Sequence, residues 1–409
     1  MKTYVVVNGD TFERISTVVY GTSDNADLIR SANAPASGGL VPGMVLVMPP
    51  QPIDDPGDLP VAAGNEDEVT ITLAGKVFVF WLGATFRFAM DEFSSFSFTS
   101  PFDPDDPVIR KTFVPLSFQD IKIYIGGSLE LTGTIAGLEV GLSVGGRVLT
   151  VQGYARAGVL EDSTLPANVA RENDGATLAE VTTLMCRPFG LTPVFSPKYS
   201  GPPILRVAIE DSQKLSGFFV KLAQQRGFLL SSDKKGHPFF QKEIAAGKPV
   251  QVLTEGLAPL QGVSPRINAR TYYSYISSVT PTYFGFGGAI QTIDNPFLND
   301  SVRPLTFKAN DTNEADNLDA CRSKMGRMFA DAISFTIDLA GWRDGKGNLW
   351  RPNTTVRLFA PGAMVYKETE FLIRSVDLSR AKSKSTTRLN VVLPGSFAGK
   401  IPETLPWLE

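Results

Sequence analysis

Residues 318–342 read LDACRSKMGRMFADAISFTIDLAGW, and the hydrophobic period changes once within this stretch. In its first half, apolar residues recur at the i, i+3, i+4 spacing of a helix with one buried face: Leu318, Cys321, Met325, Met328, Phe329 and Ala332. From Ile333 to Leu339, apolar and polar residues alternate, which is typical of a strand with one buried face. The stretch therefore predicts a helix over residues 313–330 that runs directly into a strand.

Two β-rich regions lie on either side of a mixed region. Over residues 69–154, short alternating segments are separated by glycine turns, which indicates an antiparallel barrel or sandwich. β character returns over residues 266–393, around the helix and strand described above. In this second region, we expect Thr271–Val279 to form a strand and Pro281–Pro304 to form a long loop that contacts a partner.

The region between them combines helices with a hairpin. Thr177 and Glu180 form a capping-box pattern at the start of one predicted helix. A second predicted helix spans residues 212–226 and ends at Gly227. The hairpin that follows carries His237 at its turn, where we expect this side chain to be exposed.

Residues 1–50 predict a compact unit with the order β-α-α-β. Tyr4–Val7 predicts a strand, Thr11 can cap the first helix, and a second helix ends near Asn33. A Pro-Gly turn then leads into a closing strand. Residues 51–66 are rich in proline and acidic residues, which predicts an extended linker and a domain boundary.

Composition excludes several classes of function. The chain has 409 residues, with 39 Lys and Arg, 42 Asp and Glu, two cysteines and one histidine. A net charge of −3 provides no basic footprint, so we expect no sequence-specific nucleic-acid binding. One histidine excludes a multi-histidine metal site, and Cys186 and Cys321 form no CxxC pair, which favours a reducing assembly compartment. We expect neither an N-terminal export signal nor membrane insertion, because no apolar run approaches ~20 residues.

The carboxylates do not form a convincing catalytic pair. They cluster at Asp103–Asp106 and at Glu161-Asp162. A glycosidase needs two acids held about 5–10 Å apart in a cleft. The first cluster lies in a proline-rich loop, and the second has no visible apolar setting that would raise a pKa. With His237 in a turn, we expect no enzyme activity, no cofactor and no metal site.

The N-terminal unit resembles a LysM module. The residues that carry this resemblance are Tyr4, Gly9-Asp10-Thr11, Ile15, Leu28, Ala32-Asn33, Pro42-Gly43, Val45-Leu46 and Pro49. LysM modules commonly bind N-acetylglucosamine polymers, such as peptidoglycan or chitin. The resemblance implies a groove with two sides, formed by Gly9, Asp10, Thr11 and Phe12 and by Asn33, Val41 and Pro42. It leaves open whether this groove binds glycan or docks a neighbouring protein.

Residues 66–400 resemble the baseplate hub proteins of contractile-tailed phages such as Mu, a family also represented in the N-terminal part of VgrG proteins. The segments that carry this resemblance are 151–162, 214–227 with its hairpin, 318–347, 371–376 and 389–394. The implied fold class is α+β and β-rich, with two tail-tube-like antiparallel β-barrel domains around an α/β insert. The implied domains are a LysM domain (1–50), a linker (51–66), the first barrel (67–155), the insert (156–262), the second barrel (263–400) and a C-terminal tail (401–409).

In that family, three chains present six similar barrels. The resemblance therefore implies a structural homotrimer in the virion tail baseplate, which is assembled in the bacterial host cytoplasm. This homotrimer would adapt the hexameric tail tube to the trimeric central spike and line the DNA-ejection channel. The implied partners are the tail tube protein, the central spike protein, baseplate wedge proteins, the tape measure protein and, for the groove, peptidoglycan. The alternatives are a LysM-targeted cell-wall hydrolase and a glycan-binding protein, and the sequence does not separate a phage tail from a bacteriocin-like device.

Overall fold

The structure is a computed structural model. It describes residues 2–20, 23, 26–33, 39–48, 66–143, 146–199, 201–204, 207–244, 246–279, 290–308, 314–381 and 384–408. The predicted linker lies outside the described residues, apart from Glu66. The described part is a β-rich α+β fold, which confirms this part of the predicted fold class; the two β-barrels remain a prediction.

The N-terminal module has one short sheet and two helices. Its elements are β1 (Lys2–Val5), α1 (Phe12–Tyr20), α2 (Ala26–Ala32) and β2 (Val45–Met48). The two strands are antiparallel, and Phe12, Ile15, Ile29 and Leu46 pack together as a small separate core. The order of elements is the predicted β-α-α-β.

The first β module is an antiparallel sheet with one long hairpin. Its elements are β3 (Val69–Leu73), β4 (Lys76–Phe78), β5 (Gly83–Ala89), β6 (Ser95–Pro101), α3 (Pro107–Thr112), β7 (Asp120–Ile125), β8 (Ser128–Ser143) and β9 (Gly146–Ala155). In β3, Val69, Ile71 and Leu73 are buried while Thr70 and Thr72 are half-buried, because one face of the strand covers a shared core.

The insert has its own core. Its elements are α4 (Val159–Asp162), α5 (Leu178–Cys186), β10 (Val194–Ser196), α6 (Leu215–Gln225), β11 (Leu229–Ser232) and β12 (Pro238–Gln241). Thr177 and Glu180 form the predicted capping box at the start of α5. The apolar faces of α5 and α6 then pack together, with Met185 and Phe219 fully buried.

The second β module contains α7 and most of the remaining strands. Its elements are β13 (Val252–Thr254), β14 (Leu260–Ile267), β15 (Tyr275–Val279), β16 (Ile290–Asp294), β17 (Pro304–Lys308), α7 (Glu314–Ala332), β18 (Ile333–Ala340), β19 (Thr355–Ala360), β20 (Val365–Ala381) and β21 (Lys384–Val392). Helix α7 runs directly into β18, as predicted. Strands β13 and β14 pair with β19 and β18, so the predicted boundary after residue 262 falls inside β14.

Two predictions in this module are wrong. The sequence predicts a loop over Pro281–Pro304, but residues 290–294 form β16 because they pair with β15, where Ser277 and Thr292 share a hydrogen bond of 2.8 Å. Residues 281–289 lie outside the described residues. Only the second half of the predicted strand Thr271–Val279 is β15, because the Asn268 side chain caps a short 3-10 turn before it.

The two β modules repeat one arrangement of five strands. In the first module these strands lie in the order β5-β6-β9-β8-β7, and in the second they lie in the order β14-β18-β21-β20-β19. The β20–β21 hairpin closes with Ala381 opposite Lys384, and the β8–β9 hairpin closes with Ser143 opposite Gly146. Strands β20 and β8 each contain a β-bulge at the same distance from the hairpin turn. The bulge lies before Ser375 in β20 and before Gly137 in β8. The chain therefore contains an internal structural repeat.

Strands β5 and β20 join the two modules into one sheet of 13 strands. Their antiparallel pairing runs from Ala89 opposite Ser375 to Gly83 opposite Ala381. Trp342 of the second module is fully buried below this seam, and its Nε1 donates to the Ser379 carbonyl at 3.1 Å. Its ring packs edge-on against Phe86 of the first module. The modules consequently share a single hydrophobic core rather than forming two separate units.

A buried carboxylate joins the insert to both β modules. The Glu130 side chain on β8 is only 2% exposed, and its Oε1 lies 3.1 Å from Lys234 Nζ of the insert. Its Oε2 lies 2.5 Å from Arg351 Nη1 of the second module. A buried charge is stable only when it is compensated by opposite charges. The Glu130 carboxylate therefore holds the insert and the two β modules together.

Replacing Glu130 with alanine should lower the free energy of unfolding by about 2–4 kcal/mol, because two cations lose their shared buried counter-charge. Urea denaturation of the full chain measures this change. Glu403→Ala removes an exposed carboxylate and is the matched control. Equal losses in the two variants would show that Glu130 does not hold the parts together.

Candidate functional site

The two sides of the predicted N-terminal groove lie next to each other. Gly43 N donates to the Val6 carbonyl at 2.7 Å, and Val6 N donates to the Met44 carbonyl at 2.8 Å. These bonds bring the turn before α1 beside the loop before β2. Gly9 lies in this turn with φ of +86°, a conformation that favours glycine.

The Asp10 side chain stabilises this turn through hydrogen bonds. Its side chain is 1% exposed, and its Oδ2 accepts hydrogen bonds from Val7 N at 2.8 Å and from Tyr4 Oη at 3.1 Å. Burial and the hydrogen bond to this carboxylate raise the pKa of Tyr4. The Asp10 carboxylate therefore closes the turn from within and does not face solvent.

The side chains of Asn33 and Phe12 also stabilise the fold of the module. The Asn33 Nδ2 donates to the carbonyls of Ile29 and Val47, and its Oδ1 accepts from Val47 N, all within 2.9 Å. Phe12 is in the module's core, with the Arg30 guanidinium 5.1 Å from its ring centroid. Asn33 thus fastens α2 to β2, and neither side chain is free to contact a ligand.

The exposed part of the groove is mainly apolar. Thr11 uses its Oγ1 to accept from Arg14 N, as a helix cap does, while Val41 and Pro42 are exposed. Around them, four exposed valines share this region: Val5, Val7, Val41 and Val45. Val5 and Val45 lie directly opposite each other across β1 and β2. This valine face was not predicted, because the consecutive residues Val5, Val6 and Val7 do not show which of them is exposed.

One face of the 13-stranded sheet is polar across both β modules. Directly paired residues share a face of a sheet. Along one row across the strands, the paired residues are Asp338, Arg388, Asp377, Arg87, Ser95, Tyr154 and Thr134. A neighbouring row contains Thr386, Ser379, Thr85, Ser97 and Gln152. We call this surface, from β14 to β8, the polar face.

The charges of the first row neutralise each other. Arg388 Nε lies 2.8 Å from Asp338 Oδ1, and Arg87 Nη1 lies 3.0 Å from Asp377 Oδ1. The hydrogen bond to Asp338 raises the pKa of Arg388. Burial lowers the pKa of Arg87, but Asp377 and Glu92 raise it by more, so this guanidinium stays charged and paired.

A shallow groove of about 450 Å³ lies on the polar face at the seam. Its lining is mostly backbone and small hydroxyl side chains, including Thr85, Ser97, Thr99 and Ser379. The Thr85 and Ser379 hydroxyls are 3.1 Å apart and share a hydrogen bond. Such a surface is hydrated, and one exposed cation, Lys384, lines the groove at the hairpin end of the seam.

His237 is half-buried, contrary to the expectation of an exposed turn. Gly236 packs against β8 so closely that a Cβ there would lie 2.4 Å from the Thr132 carbonyl oxygen. His237 Nδ1 accepts from Thr192 N at 3.2 Å. Burial lowers the pKa of His237; Asp233 opposes this, and Arg156 and Lys235 lower it further. The imidazole is thus a neutral packing group, and no described hydroxyl or thiol hydrogen-bonds to it.

The carboxylate clusters form no acid–base pair in the described part of the chain. Asp162 accepts from Tyr154 Oη at 2.6 Å, and burial raises the pKa of Glu161, although no apolar setting was expected there. Asp103 and Asp106 accept backbone hydrogen bonds in the turn before α3, which the sequence did not predict. Among the described residues, no group of three or more His, Cys, Asp or Glu could hold a metal ion, and no helix is long and apolar enough to cross a membrane.

The chain is similar to known proteins of phage tails. Residues 317–400 match the family described as "Mu phage baseplate assembly protein GpP, fourth domain". Two solved tail proteins share most of the fold. The 43 kDa tail protein of prophage MuSo2 from Shewanella oneidensis has a TM-score of 0.68 at 20% identity, over 81% of this chain and 99% of that one. The tail protein from Neisseria meningitidis has a TM-score of 0.67 at 17% identity, over 82% and 98%.

The fold is that of phage tail proteins. The baseplate hub protein gp44 of Escherichia phage Mu is 24% identical over 264 residues, which are 62% of this chain and 69% of gp44. Together these matches support a bacteriophage tail structural protein of the baseplate-hub kind. They do not test the N-terminal groove, whose residues remain a prediction.

Replacing Asn33 with alanine should unfold the N-terminal module without unfolding the rest, because one hydrogen bond to Ile29 in α2 and two hydrogen bonds to Val47 in β2 are lost. We expect a destabilisation of about 2–3 kcal/mol. Hydrogen exchange, followed separately for residues 2–48 and 66–408, measures it. Pro42→Ala, at an exposed position of the same groove, is the control; unchanged protection in Asn33→Ala would contradict this role.

Proposed function

We propose that the protein is the structural hub of a contractile phage tail baseplate, that it forms a homotrimer, and that it adapts the hexameric tail tube to the trimeric central spike. The observation that carries this proposal is the internal repeat. A chain with two copies of one five-strand arrangement supplies six copies in a trimer. Six equivalent units match a hexameric tube on one side, while the three-fold axis of the chains matches a trimeric spike on the other.

The polar face is our candidate for the wall of the ejection channel. DNA and the tape measure protein must pass such a wall without adhering to it. A row of unpaired arginines would bind phosphates and release them slowly. On this face the arginines of the first row are paired with aspartates, and the neighbouring row is rich in hydroxyls. The surface therefore suits transit better than binding.

The N-terminal module is our candidate for attachment of the hub to another component. The polar side chains that a LysM groove would offer, Asp10 and Asn33, are used internally, and the exposed valine face has no aromatic ring on which a sugar could stack. These features favour docking of a neighbouring baseplate protein, such as a wedge protein, over peptidoglycan binding. The hydrolase alternative lacks support, because the described carboxylates and His237 form no catalytic arrangement.

Purified full-length protein should form hollow rings with three-fold symmetry and six similar densities around the opening, because each chain contributes two similar β modules. Electron microscopy with mass photometry measures this. The same preparation should clear no peptidoglycan in a zymogram. A compact monomer at every concentration, or a cleared band, would contradict the proposed function.

The full chain should not sediment with purified peptidoglycan more than a chain without residues 1–50 does, because no polar groove side chain is free. Val45→Asp should instead prevent incorporation of the protein into tails, since it places a charge in the valine face. Glu13→Asp, on the exposed side of α1, is the control. Sedimentation that depends on residues 1–50 would favour the glycan function.

A further inference from the structure

The second halves of β8 and β20 occupy equivalent positions in the repeat, but among the described strands only β20 has a neighbour on both sides. Residues 372–381 of β20 pair with β21 on one edge. Where β19 ends, the other edge of β20 pairs with β5 from Ser375 to Ala381. This contact is the seam between the two modules.

In the described part of the chain, no strand pairs with the second edge of β8 at the corresponding positions. Residues 133–143 pair with β9 on one edge, while β7 covers the other edge only as far as Thr134. Residues 139–142 of β8 are solvent-exposed, with Val140 49% and Leu142 75% exposed. We call residues 137–143 the β8 arm.

Strand β14 is the unpaired counterpart of β5. The register identifies equivalent residues, because Arg87 lies opposite Ser95 of β6 and Arg266 lies opposite Ser334 of β18, the equivalent strand. Strand β5 is paired on both edges, whereas β14 pairs only with β18 among the described strands. It is also unusually exposed for a strand, and Ile267 is 46% exposed.

We propose that the β8 arm of one chain pairs with β14 of the next chain, and so repeats between subunits the contact that β20 makes with β5 inside the chain. This inference deepens the proposed homotrimer and rests on it. Each chain then offers one arm and one free edge. A head-to-tail contact of this kind generates a closed ring when its rotation closes.

The register predicts one interchain ion pair. Within the chain, Asp377 of β20 faces Arg87 of β5. Counted from the hairpin turns, Glu139 of the arm is equivalent to Asp377, and Arg266 of β14 is equivalent to Arg87. Neither Glu139 nor Arg266 has an ionic partner among the described residues. Their opposite charges match across the proposed interface.

The same register pairs each of two exposed apolar residues, Ile267 and Leu142, with a half-buried one. Leu138 lies opposite Ile267, and Leu142 lies opposite Val263, when the seam is copied onto the two chains. One position differs, because Pro265 stands where β5 has Phe86 and has no N–H to donate. The interchain ladder therefore has one hydrogen bond fewer than the seam. The proline also discourages unspecific strand addition to the edge of a free chain.

Paired cysteines test this contact in the full chain. Gly141 of the arm is equivalent to Ser379, and Ser264 of β14 is equivalent to Thr85. Under mild oxidation, the double variant Gly141→Cys with Ser264→Cys should form disulfides between chains and give a ladder that ends at three linked chains. The control, Thr85→Cys with Ser379→Cys, places thiols where hydroxyls are 3.1 Å apart and should link only within the chain.

The outcomes separate this inference from the proposed function. A three-fold ring without the interchain disulfide would overturn the interface and leave the hub proposal standing. A disulfide ladder that ends at another number would support the interface and overturn the trimer. A monomer that forms no interchain disulfide would overturn both.

Charge exchange provides a second, independent test. Glu139→Arg and Arg266→Glu should each weaken association about tenfold, because like charges then face each other, and the double variant should restore most of it. Glu403→Arg, which changes an exposed charge elsewhere, should have no effect. Circular dichroism of each variant checks that the monomer is folded. Equal losses in the single and double variants would overturn the proposed register.

Discussion

The pairing of β5 with β20 is the interaction on which the arrangement of both β modules depends. It joins the strands of both modules into one sheet, places Trp342 beneath the junction, and aligns a polar surface over the strands of both modules. The cost of the pairing is the ordering of two strands that are about 290 residues apart in sequence. Apolar burial on the inner side and the Arg87–Asp377 pair on the outer side offset that cost.

Local patterns predicted the elements well where the pattern and the tertiary contacts agree. Local sequence patterns predicted the helix that runs into β18, the capping box of Thr177 and Glu180, and the β-α-α-β order. The seam was not, because strand pairing across the whole chain depends on register, which no local pattern encodes. Strand β16 was missed for a related reason: its residues alternate weakly, and its pairing with β15 determines its structure.

The predicted groove shows a different limit of sequence reasoning. The residue types at Asp10, Phe12 and Asn33 fit a recognition surface as well as they fit a turn, a core and a helix anchor. Only the hydrogen-bond partners distinguish these roles, and they assign all three side chains to the fold. His237 shows the converse, because the tight approach of Gly236 to β8 buries a turn that a sequence pattern leaves in solvent.

The internal repeat has a consequence for how a ring of such chains would assemble. Six separate modules would need five encounters in solution to form a ring, each with its own loss of translational and rotational freedom. Because two modules are held on one chain, every second contact forms at a high effective concentration and does not depend on the amount of protein in the cell. The continuous backbone between β9 and β14 therefore halves the number of contacts that must form between separate molecules. Incomplete rings consequently become rarer intermediates of assembly.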